Sequence, residues 1–99
     1  MTLKLTFSAN VENKLGKKHG VSPDEVRQCF SNMQGKFLQD TREDHATDPP
    51  TLWFIAETDH GRLLKVCFVF DNGITYIKTA YEPNKEERRI YQKHGQPGE

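Results

Sequence analysis

The chain has 99 residues, with 14 Lys and Arg against 14 Asp and Glu, for a formal net charge of zero. That length supports a single hydrophobic core and argues against a second domain. Balanced charge argues against nucleic-acid binding driven by bulk charge, and 34% hydrophobic residues place the chain among polar globular domains rather than disordered ones.

Leu3, Leu5 and Phe7 alternate with Lys4 and Thr6, the period of a half-buried strand. Ser8 or Asn10 then opens a helix reaching about His19, with Val11 and Leu15 on its buried stripe and Gly20 as its left-handed stop. Ser22-Pro23-Asp24-Glu25 is the strongest local signal. Ser22 caps a helix, Pro23 suits its first position and Glu25 completes a capping box. Val26, Phe30 and Met33 follow at helical spacing until Gly35. Residues 36–40 suit a short strand, and residues 41–50 a polar loop. Residues 51–58 and 62–70 read as strands joined by Asp59-His60-Gly61, and Asp71-Asn72-Gly73 turns the chain into a last strand over 74–79. Pro83 introduces a charged helix ending at Gly95. The expected fold is one α+β domain over 1–99: a small antiparallel sheet of three to four strands, two N-terminal helices on one side and a C-terminal helix. Its core should hold Val26, Phe30, Leu64, Val66, Phe68 and Ile77.

No apolar run approaches the roughly 20 residues of a membrane helix, and the N-terminus lacks a signal-peptide pattern, which predicts a cytoplasmic protein with no membrane partner. Cys29 and Cys67 lack paired spacing and sit among apolar neighbours, as buried free thiols do. Glu43-Asp44-His45-Ala46-Thr47-Asp48 has metal-binding residue types, but so short a loop reads as solvated. Neither a metal nor a cofactor is expected. Residues 40–60 hold six acids and one base, so the remaining thirteen bases and eight acids can present a basic face.

The pairs Lys18-His19-Gly20 and Lys93-His94-Gly95 suit helix C-capping, while an imidazole facing a basic cleft would instead move protons near neutral pH. Arg88 and Tyr91 share one helix face, and Lys78 and Tyr81 stand near the end of the last strand. Nucleotide-binding and hydrolase motifs are absent from the sequence. A metal-free set of Lys, Arg, His and Tyr suits RNA cleavage by the 2′-hydroxyl, with a base, an acid and a cation on the phosphate.

The stretches ENKLGKKHGVSPDEVRQCF, AETDHGRLLKVCFVF and ITYIKTAYEPNKEERRIY, about four-fifths of the chain, resemble the BrnT-like toxins of the RelE-type ribonuclease superfamily. The resemblance implies a RelE-like fold. It also implies a type II toxin acting as a metal-independent endoribonuclease on RNA, held in check by a small DNA-binding antitoxin. It nominates His19 with Lys18, Arg62, and Arg88 with Tyr91. Tyr81 stands where the family carries a strand-end arginine, and the 40–54 segment is not typical of the family. On this reading His19, Lys78, Tyr81, Arg88 and Tyr91 converge as the catalytic set, with Lys18, Arg62 and Arg89 on the RNA. The alternative is a non-catalytic binding module of the same fold for a protein or RNA partner. The chain is also similar to short bacterial proteins called ADP-ribosyl-dinitrogen-reductase hydrolases. Hydrolases of that kind are large, all-helical and hold paired Mg²⁺ ions, an architecture that a strand-rich chain of this length cannot supply.

Overall fold

The computed structural model describes residues 4–40 and 49–95. Strand β1 (Leu5–Thr6) leads into helix α1 (Ala9–Lys14), which widens into a π-helical turn over Leu15–His19. Helix α2 (Pro23–Asn32), strands β2 (Leu38–Gln39), β3 (Thr51–Glu57), β4 (Leu63–Asp71) and β5 (Ile74–Tyr81), and helix α3 (Lys85–His94) complete the order.

Local chemistry sets these boundaries. The Ser8 hydroxyl accepts from the Val11 amide and starts α1. Gly20 at φ 61° ends the π turn, and the Val21 amide reaches back to the Leu15 carbonyl at 2.9 Å. Ser22 and Glu25 form the complete capping box of α2, and Asn84 and Glu87 form a second one on α3. Asn72 and Gly73, at φ 53° and 79°, make the tight β4–β5 turn.

The sheet order is β1-β5-β4-β3-β2. Two expectations are corrected here. Five strands pair rather than three to four, because β1 and β2, of two residues each, dock on the edges. The sheet is mixed rather than antiparallel, since β1 runs parallel to β5 with Leu5 opposite Thr75. Helices intervene between β1 and the rest, which makes that parallel crossover possible. The α+β class stands, as do both hairpin turns and the three helical regions.

Between Cys67 and Phe68 the β4–β5 register shifts, so that Cys67 faces Thr79 while Phe68 faces Ile77, leaving Lys78 as the extra residue of a bulge. Ile77 and Ala80, three apart, are both buried as a result. One face of the sheet carries Phe54 and Phe68, which meet Phe30 of α2 with ring centroids 4.7 and 5.4 Å away. The other face carries Trp53, which meets Tyr91 of α3 at 5.7 Å. The six expected core residues all lie in or against the cluster, with Phe30 half-buried at its border. Cys29 and Cys67 are buried free thiols, and burial pushes the Cys29 thiol up to about 12.

Helix α3 is moored at its far end by backbone contacts. The Lys36 amide donates to the Gly95 carbonyl at 2.6 Å, and the Tyr91 hydroxyl donates to the Lys36 carbonyl at 2.8 Å. A Cβ on Gly35 would strike the Gly95 carbonyl and the Tyr91 hydroxyl. Gly35→Ala is therefore expected to unseat the end of α3 and cost about 2 kcal/mol, in the range of other overpacking changes. Unchanged urea unfolding, with unchanged fluorescence of Trp53 beside Tyr91, would show that the mooring yields freely.

Candidate functional site

At the end of the sheet where β3 turns into β4 and β5 runs out, three polar side chains interlock. The Glu87 carboxylate, the third residue of α3, accepts from Lys65 Nζ at 2.9 Å and from the Tyr81 hydroxyl at 2.7 Å. Lys65 is a lysine inside an apolar strand, with only 6% of its side chain exposed, and its ammonium lies 4.5 Å from the centre of the Trp53 ring. Burial works against both charges of this pair. For Glu87 it is outweighed by hydrogen bonds from the Asn84 backbone, Lys65 and Tyr81, which hold the carboxyl below its ordinary value. For Lys65 it is outweighed by the hydrogen bond to Glu87, which holds the ammonium above its ordinary value. Burial, and then the neighbouring Glu87 anion, push the Tyr81 phenol up, so it keeps its proton and donates it.

His19 closes this cluster. Its imidazole is half-buried, and its ring centre lies 5.5 Å from that of Tyr81 at an interplanar angle of 35°. Lys17 and Lys18, just before it on the π turn, are exposed.

Beneath them Arg62 ties three elements together. Its guanidinium donates to the Gly20 and His19 carbonyls at 2.7 and 3.0 Å, and pairs with Glu25 and with Glu82. Hydrogen bonds to Glu82 and Glu25 hold it above its ordinary value, and Glu25 in turn lies below its own because of the Ser22 backbone and Arg62. Arg62 thus satisfies the last carbonyls of the first helix, where a cation also meets the negative end of the helix dipole.

Of the expected catalytic set, the structure brings together His19 and Tyr81. Lys78 is exposed on the β5 bulge. Arg88 is exposed and lines a cleft with Ser31, Asn32 and Glu57. Tyr91 is 1% exposed, and its hydroxyl is spent on the Lys36 carbonyl. Among the expected RNA contacts, Lys18 is exposed, Arg62 is engaged as described, and Arg89 is exposed 3.7 Å from Glu86. Sequence reasoning misses Lys65 and Glu87 as site residues. A charged residue in the middle of LLKVCFVF is the signal that could find them, because a buried lysine needs an anion brought to it.

The acidic stretch 43–48 lies outside the described residues. Among the described residues no group of three or more His, Cys, Asp and Glu is placed to hold a metal ion. None of the described helices is long and apolar enough to cross a membrane. Comparison of the chain with protein-family models and with curated proteins returned no match.

Proposed function

We propose that this domain is a metal-independent endoribonuclease, the toxin of a cytoplasmic toxin–antitoxin pair, with His19 as its proton acceptor. The observation that carries this reading is the contact between the His19 imidazole and a Tyr81 ring that Glu87 and Lys65 hold fixed. Imidazole is the side chain suited to moving a proton in general acid–base catalysis. In the step proposed, His19 removes the proton of an RNA 2′-hydroxyl. The 2′-oxygen forms a bond to the adjacent phosphorus as the bond to the 5′-oxygen breaks. A cyclic phosphate and a 5′-hydroxyl result, and the departing oxygen takes its proton from the imidazolium or from water. Exposed Lys17 and Lys18 beside His19 meet the phosphates. Tyr81 is a positioning residue, since its phenol is engaged with Glu87.

Expressing the chain without its partner should arrest growth, and the purified protein should cleave RNA, alone or on ribosomes. His19→Ala should abolish both while leaving Tm within a few degrees, because Arg62 binds the His19 carbonyl and not its ring. A fully toxic His19→Ala protein would remove His19 from the mechanism. One observation favours the second reading, a non-catalytic module for a protein or RNA partner. Arg62, Tyr81 and Tyr91 all spend their polar groups inside the fold. If the wild-type chain proves harmless and inert on RNA, that reading takes over.

A further inference from the structure

Arg62 is expected on the RNA, and its geometry engages it inside the fold instead. All three guanidinium nitrogens donate there: Nε to Glu82 at 2.9 Å, Nη1 to the Gly20 carbonyl at 2.7 Å and to Glu25 at 3.2 Å, and Nη2 to the His19 carbonyl at 3.0 Å. Two carboxylates on one guanidinium leave no net positive charge for a phosphate. The hairpin corner that carries Arg62 is fixed as well. The Arg62 amide donates to the Thr58 hydroxyl at 3.1 Å, its carbonyl accepts from the Thr58 amide at 2.8 Å, and Thr58 is 3% exposed.

The four acceptors lie on both sides of the ring contact. Gly20, at φ 61°, is the joint between the π turn and the segment leading to α2. The His19 and Gly20 carbonyls stand at that helix end, where the helix itself offers no donor. Arg62 holds them, and with them the backbone from which the His19 imidazole projects. On the other side, Glu82 directly follows Tyr81, whose hydroxyl is anchored separately through Glu87. Glu25 brings in α2, since the same carboxylate oxygen that accepts from Arg62 Nη1 also accepts from the Ser22 amide in the capping box. One side chain thus links the turn that carries His19 to the strand end that carries Tyr81.

We propose that Arg62 is a positioning residue: its planar fork, rather than its charge, sets the His19 imidazole against Tyr81. The kinetic side of this inference rests on the ribonuclease reading. There Arg62 acts on proton transfer through His19 and not on RNA binding.

The test is Arg62→Lys, which keeps the charge and loses the fork, since one ammonium cannot meet acceptors on four residues. Proton NMR of the wild-type protein should show a nuclear Overhauser contact between the His19 and Tyr81 rings. In Arg62→Lys that contact should vanish, while the contact between the Trp53 and Tyr91 rings stays and reports an intact fold. Cleavage of a short, end-labelled single-stranded RNA of mixed sequence, with and without ribosomes, should lose about tenfold or more in kcat. KM should hold within about twofold, and RNA binding should keep its salt dependence. In Arg62→Ala, ethylguanidinium should restore part of the ring contact and of kcat, and ethylammonium should restore neither. Retention of the ring contact in Arg62→Lys would overturn the proposal. So would a raised KM with a shallower salt dependence, which would make Arg62 a phosphate contact. Loss of the ring contact with kcat intact would uphold Arg62 as the holder of the ring and remove His19 from the chemistry. A wild-type chain inert on RNA would remove the ribonuclease reading alone, and the ring contact would still decide the role of Arg62.

Discussion

Truncating Phe68 to alanine should cost about 3–5 kcal/mol in a urea titration, the range for a buried phenylalanine. Its ring is 2% exposed and lies 4.9 Å from Phe37, 5.4 Å from Phe30 and 6.1 Å from Phe54. These edge-to-face contacts join α2 to the sheet, so the cavity left behind would be lined by rings too large to collapse into it. Phe37 in the same cluster is 44% exposed, and Phe37→Ala should cost markedly less. A loss under about 1 kcal/mol for Phe68→Ala would mean that α2 can settle onto the sheet without that ring.

Glu87→Ala should be of similar severity, about 3 kcal/mol, because it strands the buried Lys65 ammonium without its anion. The same substitution removes the side chain that completes the α3 capping box. Replacing both charges, Lys65→Met with Glu87→Leu, should recover most of the loss, since the pair repays little more than its own desolvation. A double variant as unstable as Glu87→Ala alone would place the cost in the lost cap and the lost Tyr81 acceptor instead. The pH dependence has a definite sign. Glu87 lies below its ordinary value of 4.5, so its contribution is present above that value and disappears as pH falls through the folded one. Lys65 lies above 10.5, so its contribution is present below that value and disappears as pH rises through the folded one. Glu87→Ala should flatten part of the acid limb of the stability curve, with Glu25 supplying another part.

Elements that rest on near neighbours in the chain are legible in the sequence. Ser22 with Glu25 announces α2 and Asn72-Gly73 announces the last hairpin, whereas the sequence reading starts α3 from Pro83 and misses the capping box of Asn84 with Glu87. Features that depend on distant partners are not. Leu5 and Thr6 pair with residues seventy positions away, and nothing local distinguishes a parallel from an antiparallel neighbour. Lys78 adds a residue that a strict two-residue period cannot accommodate, and so the sequence pattern ends the last strand two residues short. In the candidate site, His19 and Tyr81 stand out because their side chains carry recognisable chemistry. Lys65 does not, because its meaning lies in Glu87, twenty-two residues on. Arg62 and Tyr91 suggest a chemistry that their distant carbonyl partners absorb.

The π-helical turn over Leu15–His19 has the form of an α-helix that has taken in one residue. Were this turn to close to α-helical pitch at the same chain length, the residues beyond it would rotate by about 100°. His19 would keep its identity and lose its neighbour, and the carbonyls that now meet Arg62 would turn elsewhere. The widened turn is therefore what keeps His19 on its face at this chain length, as much a determinant of the site as any side chain in it. Among homologues, a single-residue gap at this turn would leave the histidine on the same face, with an α-helical turn in place of the π one.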